Sequence, residues 1–281
     1  MRKRLLCTDL DRTLIPNGPA PLCPEADRLF KKLAHREEVC LAYVTGRHRA
    51  LIEDAMAEFD LPAPNFAIAD VGASIYEVSA QGWRPWRMWL EHIAPDWRGM
   101  NSEALRDVLR GFPGLSIQEK EKQAPFKLSY YADPDTDARA LTGRIQDILR
   151  HEDIHANLIW SIDGLAGIGL LDVLPKSAGK LQAIRFLMER HDFSLLDTVF
   201  AGDSGNDLDV LSSNIQAVLV ANADPEIKIQ AAKSNSEALY IAQGGYLGLS
   251  GNYSAGILEG VAHFWPEADA WLRELERHKD T

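Results

Sequence analysis

Two acidic motifs, one near each end of the chain, constrain what this sequence can fold into. The first is Asp9-Leu10-Asp11-Arg12-Thr13, directly after the apolar run Leu5-Leu6-Cys7. The second is Gly202-Asp203-Ser204-Gly205-Asn206-Asp207, directly after Val199-Phe200-Ala201. Each reads as a buried strand ending in a carboxylate-rich loop. Ligands of an open α/β sheet bind outside the carboxyl ends of its strands. Carboxylates delivered there from two strands can share one hard cation. Mg²⁺ is typically held by one or two carboxylates together with substrate phosphates and waters. The arrangement therefore points to phosphate-ester chemistry.

A chain of 281 residues, 46% hydrophobic, has ample material for one large domain or two modest ones. The net charge of −11 argues against a general nucleic-acid binder. Such a protein needs a metal and a few Lys or Arg to attract an anionic substrate. Cys7, Cys23 and Cys40 are too few and too irregular for a disulfide scaffold or a zinc site. They fit a reducing cytosol. The start Met-Arg-Lys-Arg leads into only a short apolar run, so no signal peptide is expected. No stretch reaches the length of a membrane span. The expectation is a cytoplasmic protein, and the sequon Asn252-Tyr253-Ser254 is then idle.

The first segment alternates strands and helices. Strands are expected at 5–8, 39–44 and 66–69, and helices at 25–35 and 49–59, the latter with Ile52, Ala55, Met56 and Phe59 at helical spacing. This alternation implies a parallel sheet with crossover helices. The middle differs. Trp83, Trp86, Trp89 and Trp97 cluster ahead of a helix over 102–110. Strands follow at 115–117 and 127–131, then a helix marked by Leu141, Ile145, Ile148 and Leu149. Two more strands, 157–162 and 168–173, flank a turn at Asp163-Gly164. That mixture suggests a small α+β domain on an antiparallel sheet. From Pro175 the alternation returns, with a helix from about Gly179, strands at 198–201, 217–220 and 239–242, a helix from Ser254 and an amphipathic tail over 267–279. The expected fold class is α/β. A discontinuous core, 1–84 with 175–281, is interrupted by a domain of 85–174.

Asp9 and Asp11, two apart, face one side of a regular strand. With an ordinary Asp pKa near ~3.9, Asp9 is ionised and available as a nucleophile or metal ligand. Beside Asp9 and a phosphate, Asp11 is pushed toward its protonated form and suits a general acid. Taken alone, D-x-D-x-T is more often an Asp-rich turn. An EF-hand is excluded, because Leu14 stands where its glycine belongs. Thr45-Gly46-Arg47 offers a hydroxyl and backbone N–H groups to a phosphoryl oxygen, or else an ordinary helix cap. Lys176 or Lys180 can neutralise phosphate and carboxylates together. Gly202 and Gly205 let the backbone approach a ligand. Asp203 can ligate metal, and Asn206 and Asp207 can orient the lysine. The order of these four motifs, three of them directly after apolar strands, is what four independent turns would not produce.

In that order they resemble the haloacid dehalogenase (HAD) superfamily of phosphatases. The runs 41–47, 71–76, 125–130, 172–175 and 255–264 resemble the sucrose-phosphate phosphatase branch. The resemblance spans nearly the whole chain and implies a Rossmann-like parallel-sheet core with an inserted α+β cap. It implies Asp9 as the nucleophile forming an aspartyl-phosphate, and Asp11 as the group that protonates the leaving sugar oxygen and then activates water. Thr45, Gly46 and Arg47 hold the phosphate. Lys180, by its spacing from Asp172-Val173-Leu174-Pro175, is preferred to Lys176 as the motif lysine. Mg²⁺ lies between Asp9, the backbone carbonyl of Asp11 and Asp203, with Asn206 and Asp207 supporting Lys180 and the metal's waters. Lys127, on a cap strand, faces the sugar or is a solvated strand residue.

The implied substrate is a small sugar phosphate, foremost sucrose 6-phosphate. Mannosylfructose phosphate, a glycosyl-phosphoglycerate, a phosphosugar mutase reaction and a non-catalytic synthase-binding module stay open. The implied partner is the sugar-phosphate synthase of the same pathway, with neither nucleic acid nor membrane. Three features depart from the pattern: Arg12, where the superfamily usually has Gly and the branch often Asn; the Trp83–Trp97 stretch; and the 244–248 loop with the tail after Phe264.

Overall fold

Leu5, Leu6 and Cys7 are fully buried, as a strand covered on both faces requires. They form β1 (Arg4–Thr8), the middle of an eight-stranded sheet in the computed structural model. The structure describes residues 3–163, 167–233 and 237–278. After β1 come α1 (Pro24–Ala34), β2 (Val39–Val44), α2 (Arg49–Glu58), β3 (Phe66–Ala69), β4 (Ser74–Ser79) and β5 (Gly82–Pro85). The middle supplies α3 (Arg87–Ile93), α4 (Ser102–Val108), β6 (Leu115–Ile117), β7 (Leu128–Ala132), α5 (Ala138–His151), β8 (Ala156–Asp163) and β9 (Ile168–Pro175). The chain then returns through α6 (Lys180–Arg190), β10 (Thr198–Gly202), α7 (Leu208–Leu211), β11 (Gln216–Leu219), α8 (Pro225–Lys233), β12 (Leu239–Ile241), α9 (Ser254–Phe264) and α10 (Pro266–Arg277).

The large sheet has the order β12-β11-β10-β1-β2-β3-β4-β5. Its first six strands are parallel, and β4 and β5 extend it as an antiparallel hairpin. The strand order reverses at β1, which has β2 on one side and β10 on the other. A crevice opens at such a reversal, beyond the carboxyl ends of the strands. Thr8 is level with Ala201, so the two acidic loops leave the sheet side by side. Asp9 N–H donates to the Ala201 carbonyl at 2.8 Å.

The second sheet, β6-β7-β9-β8, is antiparallel throughout. Alternation assigns its two faces. Leu128, Tyr130, Leu171 and Val173 join one apolar cluster with Leu105, Leu141, Ile145 and Leu149 of α4 and α5. Lys127, Ser129 and Asp172, out of phase with them, lie on the other side. This is the α/β core with an inserted α+β cap that the sequence implies. Gly164 of the expected turn lies outside the described residues, and so does residue 279 of the expected tail.

The departures from expectation have local causes. The β4–β5 hairpin was not anticipated, because its turn at Ala80-Gln81 lacks the Asn-Gly type of signal. Nor does the sequence reading place a helix at α3 or α8, both of which are short. The tryptophans are packing residues. Trp89 is fully buried against Phe186, with ring centroids 5.1 Å apart. Trp97 is fully buried in the cap cluster, 5.9 Å from Phe126. The 244–248 loop is fastened by Glu259, which accepts from Gln243 N and Gly244 N, both at 2.9 Å. Tyr246 donates to Asp269 of α10 at 2.8 Å, and α10 buries Ala268 and Leu272 in the core. Among the described residues no helix is long and apolar enough to cross a membrane.

Candidate active site

The sheet ends place three carboxylates together. Asp9, Asp203 and Asp207 are all buried, and each offers an oxygen within 4.8 Å of the others. Lys180 opens α6 and is buried with them. Its Nζ lies 3.3 Å from Asp9 Oδ1 and 2.7 Å from Asp207 Oδ1, and it donates to Asn206 Oδ1 at 2.8 Å. Lys176 is exposed. Asp207 is fully committed: its Oδ2 accepts from Asp203 N, Ser204 N and Ser204 Oγ, each at 3.1 Å. Gly202 serves this carboxylate rather than a ligand. A Cβ there would lie 2.6 Å from Asp207 Oδ2.

One ammonium among three buried carboxylates leaves surplus negative charge. Burial lifts Asp9 well above the ordinary carboxyl range; Lys180 opposes this, and Asp207 and Asp203 add to it. Burial, reinforced by Asp207, pushes Asp203 up to about 7. In the protein alone, Asp9 therefore departs from the ordinary carboxyl range that the sequence suggests. Burial alone would lower the Lys180 pKa, but Asp207 and Asp9 outweigh that cost and raise it, which favours the charged ammonium. Asp203 Oδ1 accepts from Thr13 Oγ1 at 3.1 Å, while its buried Oδ2 has no hydrogen-bond partner. A buried oxygen with no hydrogen bond, in a trio of carboxylates that share a single buried ammonium, fits a divalent cation, although Arg12 Nε stands 3.4 Å from it.

Asp11 behaves differently from its sequence expectation. The strand ends at Thr8, so Asp9 and Asp11 do not share a strand face. The Asp11 carboxylate accepts from Arg47 Nε at 2.8 Å and NH2 at 2.7 Å, and from Asn17 Nδ2 at 2.7 Å. Burial alone would raise its pKa, but Arg47 and Asn17 hold it below the ordinary value. Without a phosphate, the Arg47 guanidinium is its near neighbour, so the shift runs opposite to the one expected of Asp11 beside Asp9 and a phosphate.

Thr45 is buried at the end of β2, and its Oγ1 accepts from Arg47 N at 3.2 Å. It does not cap α2, whose N-cap is His48. Gly46 sits between these two residues, with Val71 Cγ2 as the nearest neighbour to a Cβ, at 3.9 Å. Lys127 is not a solvated strand residue. It is 6% exposed, with Nζ 3.8 Å from Asp172 Oδ1. Asp70, also buried, feels the charge of Lys127 and has an oxygen without a hydrogen-bond partner. The site thus gathers Asp9, Lys180, Asp203, Asn206 and Asp207 closely, with Asp11 and Arg47 as an adjoining pair, while Lys127 is paired with Asp172 of the antiparallel sheet. Sequence reasoning assigned no role to Thr13, Asn17, Asp70, Asn222 or Asp224. Thr13 was legible as the last residue of D-x-D-x-T, but the others carry no motif.

The model of the sucrose-6F-phosphate phosphohydrolase family matches residues 2–265. The chain belongs to that family. Its members are phosphoric monoester hydrolases, the class expected from the sequence, and the HAD resemblance is borne out. A protein of Nitrosococcus oceani, described only as a HAD-like hydrolase, is 51% identical across all of this chain and 77% of its own length. The mannosylfructose-phosphate phosphatase of Agrobacterium fabrum is 29% identical over 93% of this chain and 96% of its own. Sucrose-phosphatase 1 of Nicotiana tabacum is 26% identical over 92% of this chain, which spans 59% of that relative's length. Among solved structures, the sucrose-phosphatase of Synechocystis sp. in complex with sucrose and phosphate superposes with a TM-score of 0.76 at 26% identity, covering 94% of this chain and 98% of that one. This family member thus combines a HAD-fold core and cap with a buried acidic trio.

Proposed function

We propose that this chain is a Mg²⁺-dependent phosphatase of a disaccharide phosphate, with sucrose 6-phosphate as its foremost substrate. One observation carries the reading: Asp9, Asp203 and Asp207 converge within 4.8 Å, with Lys180 Nζ 3.3 Å from Asp9. Asp9, Asp203 and the backbone carbonyl of Asp11 would hold the cation, while Asp207 and Asn206 fix Lys180. When bound, Mg²⁺ would neutralise charge on the transferring phosphoryl group.

An Asp9 carboxylate oxygen attacks phosphorus, and the bond from phosphorus to the sugar oxygen breaks. Asp11 gives its proton to that oxygen, so it must first be protonated and drawn off Arg47. The aspartyl-phosphate is then attacked by water, whose proton returns to Asp11 as Asp9 is released. Lys180 balances charge on Asp9 and the phosphoryl oxygens. Thr45 and Gly46 hold those oxygens, and Arg47, freed from Asp11, joins them.

Lys127 is proposed to meet the sugar hydroxyls from the cap. Residues 1–84 with 175–281 are taken as the core and 85–174 as the cap. The separate apolar cluster beneath the antiparallel sheet supports this division, although Trp89 and Ile93 pack with the core from beyond that line. Likeness to the Agrobacterium enzyme over nearly its full length favours mannosylfructose phosphate as the second reading. The sugar-phosphate synthase of the same pathway is the proposed protein partner, and the cytoplasm the proposed location.

Phosphate release across sucrose 6-phosphate, mannosylfructose phosphate, a glycosyl-phosphoglycerate, glucose 6-phosphate and p-nitrophenyl phosphate, with and without Mg²⁺, tests the reading. The expected result is highest kcat/KM on sucrose 6-phosphate, in Mg²⁺ only. Preference for a monosaccharide phosphate would overturn the substrate assignment.

A further inference from the structure

Arg12 occupies an unusual position for a cation. Its backbone is in the left-handed region, with φ +57°. Both its backbone groups are fastened: Arg12 N donates to Asn17 Oδ1 at 2.8 Å, and its carbonyl accepts from Asn222 Nδ2 at 2.6 Å. The tip is fastened as well. NH2 donates to Asp224 Oδ1 at 2.9 Å, and NH1 to Oδ2 at 3.4 Å. Three anchors, one of them the α8-side loop residue Asp224, leave the side chain little freedom.

Held in this way, Arg12 Nε lies 3.4 Å from Asp203 Oδ2. The contact is an ion pair without a hydrogen bond. Arg12 Nε and Asp203 Oδ2 are both buried, and neither has a hydrogen-bond partner. Asp203 Oδ1 already accepts from Thr13. Oδ2 is therefore the oxygen left for a cation, and the guanidinium stands against it. Because no aligned bond joins the two, Arg12 contributes charge to Asp203 without orienting it.

We propose that Arg12, braced by Asp224, is a built-in counter-ion that weakens divalent-cation binding at the acidic trio. The proposal rests on the Mg²⁺ reading of that trio. Two positive charges sharing one carboxylate oxygen repel strongly where burial reduces screening. Asp224 keeps the guanidinium from closing fully on Asp203, so the brace sets how far affinity falls. Arg12 is thus a positioning residue for the metal site, acting through Asp203.

The test is calorimetric titration of Mg²⁺ into the substrate-free protein, with folding of each variant checked by circular dichroism. Groups that touch a metal ligand typically change affinity about 10- to 100-fold, and Arg12→Met should tighten Mg²⁺ binding on that scale. Arg12→Gly also removes the charge, and relaxes the backbone besides, so it should tighten binding comparably. Arg12→Lys keeps the charge and should stay close to the wild type. Asp224→Asn frees the guanidinium to close on Asp203, and should weaken binding. Unchanged or weaker binding in Arg12→Met and Arg12→Gly would overturn the proposal while leaving the metal reading intact. Absence of Mg²⁺ binding in the wild type and every variant would overturn the metal reading and the proposal with it.

Discussion

Lys180 Nζ and Asp9 Oδ1 lie 3.3 Å apart, one at the start of a helix that follows the cap and the other just past the first strand. Both are buried, and Lys180 also binds Asp207 and Asn206. The ammonium is thus the common counter-ion of two strand-end loops. Lys180→Met removes it while keeping the apolar stem. Breaking a buried ion pair by deleting one partner costs about 3–5 kcal/mol. The variant should lose activity and melt earlier than the wild type. Added Mg²⁺ should recover part of the stability but not the activity. Melting curves with and without Mg²⁺, beside turnover, check this, and an unchanged melting temperature in chelator would refute the pairing.

Asp9→Asn keeps the shape of the proposed nucleophile and its backbone bond to Ala201. The amide cannot form the acyl-phosphate, so turnover should fall on the order of 10⁴-fold or more. Folding should be retained, since one of three crowded carboxylates is gone. A folded Asp9→Asn protein with near-normal turnover would eliminate this mechanism.

Chelation should abolish activity, and Mg²⁺ should restore it. Asp9 and Asp203 cannot share a site with a phosphate dianion unless a cation offsets the charge. Calcium should inhibit, because its larger and more flexible coordination shell spoils the in-line geometry. The measurement is phosphate release after dialysis against chelator, followed by titration with each metal. Full activity in excess chelator is the contrary result.

Lys127→Ala should separate sugar recognition from phosphate chemistry. The side chain is buried on the cap, 3.8 Å from Asp172. Loss of one charged hydrogen bond to a sugar hydroxyl should raise KM for the disaccharide phosphate about 10- to 100-fold. Hydrolysis of p-nitrophenyl phosphate, which has no sugar to read, should hardly change. An equal loss on both substrates would place Lys127 in the fold rather than the sugar site.

Much of this protein was legible in the sequence because its core strands are buried on both faces. Continuous apolar runs such as Leu5-Leu6-Cys7 and Val199-Phe200-Ala201 mark parallel strands, and their polar ends mark the ligand edge. The family resemblance, through the spacing from Asp172-Val173-Leu174-Pro175, likewise favoured Lys180, the lysine that proves buried. Packing decided what periodicity does not encode. The hairpin of β4 and β5 has no strong turn signal. Trp89 and Trp97 went to two different apolar clusters, though they are near neighbours in sequence.

Charge was the least legible property. Local sequence puts Asp11 near Asp9 and, with a phosphate bound, predicts a raised pKa, whereas in the protein alone the fold puts Arg47 and Asn17 against it and lowers that pKa. Asp224 and Asn222 carry no motif, yet they fix Arg12 beside Asp203 from the far end of the chain. The sequence determined which strands carry the acidic groups, because burial demands apolar residues at regular intervals. Only the tertiary structure decided which charges face one another, because electrostatic energy depends on distance and burial in space, and a linear chain specifies neither.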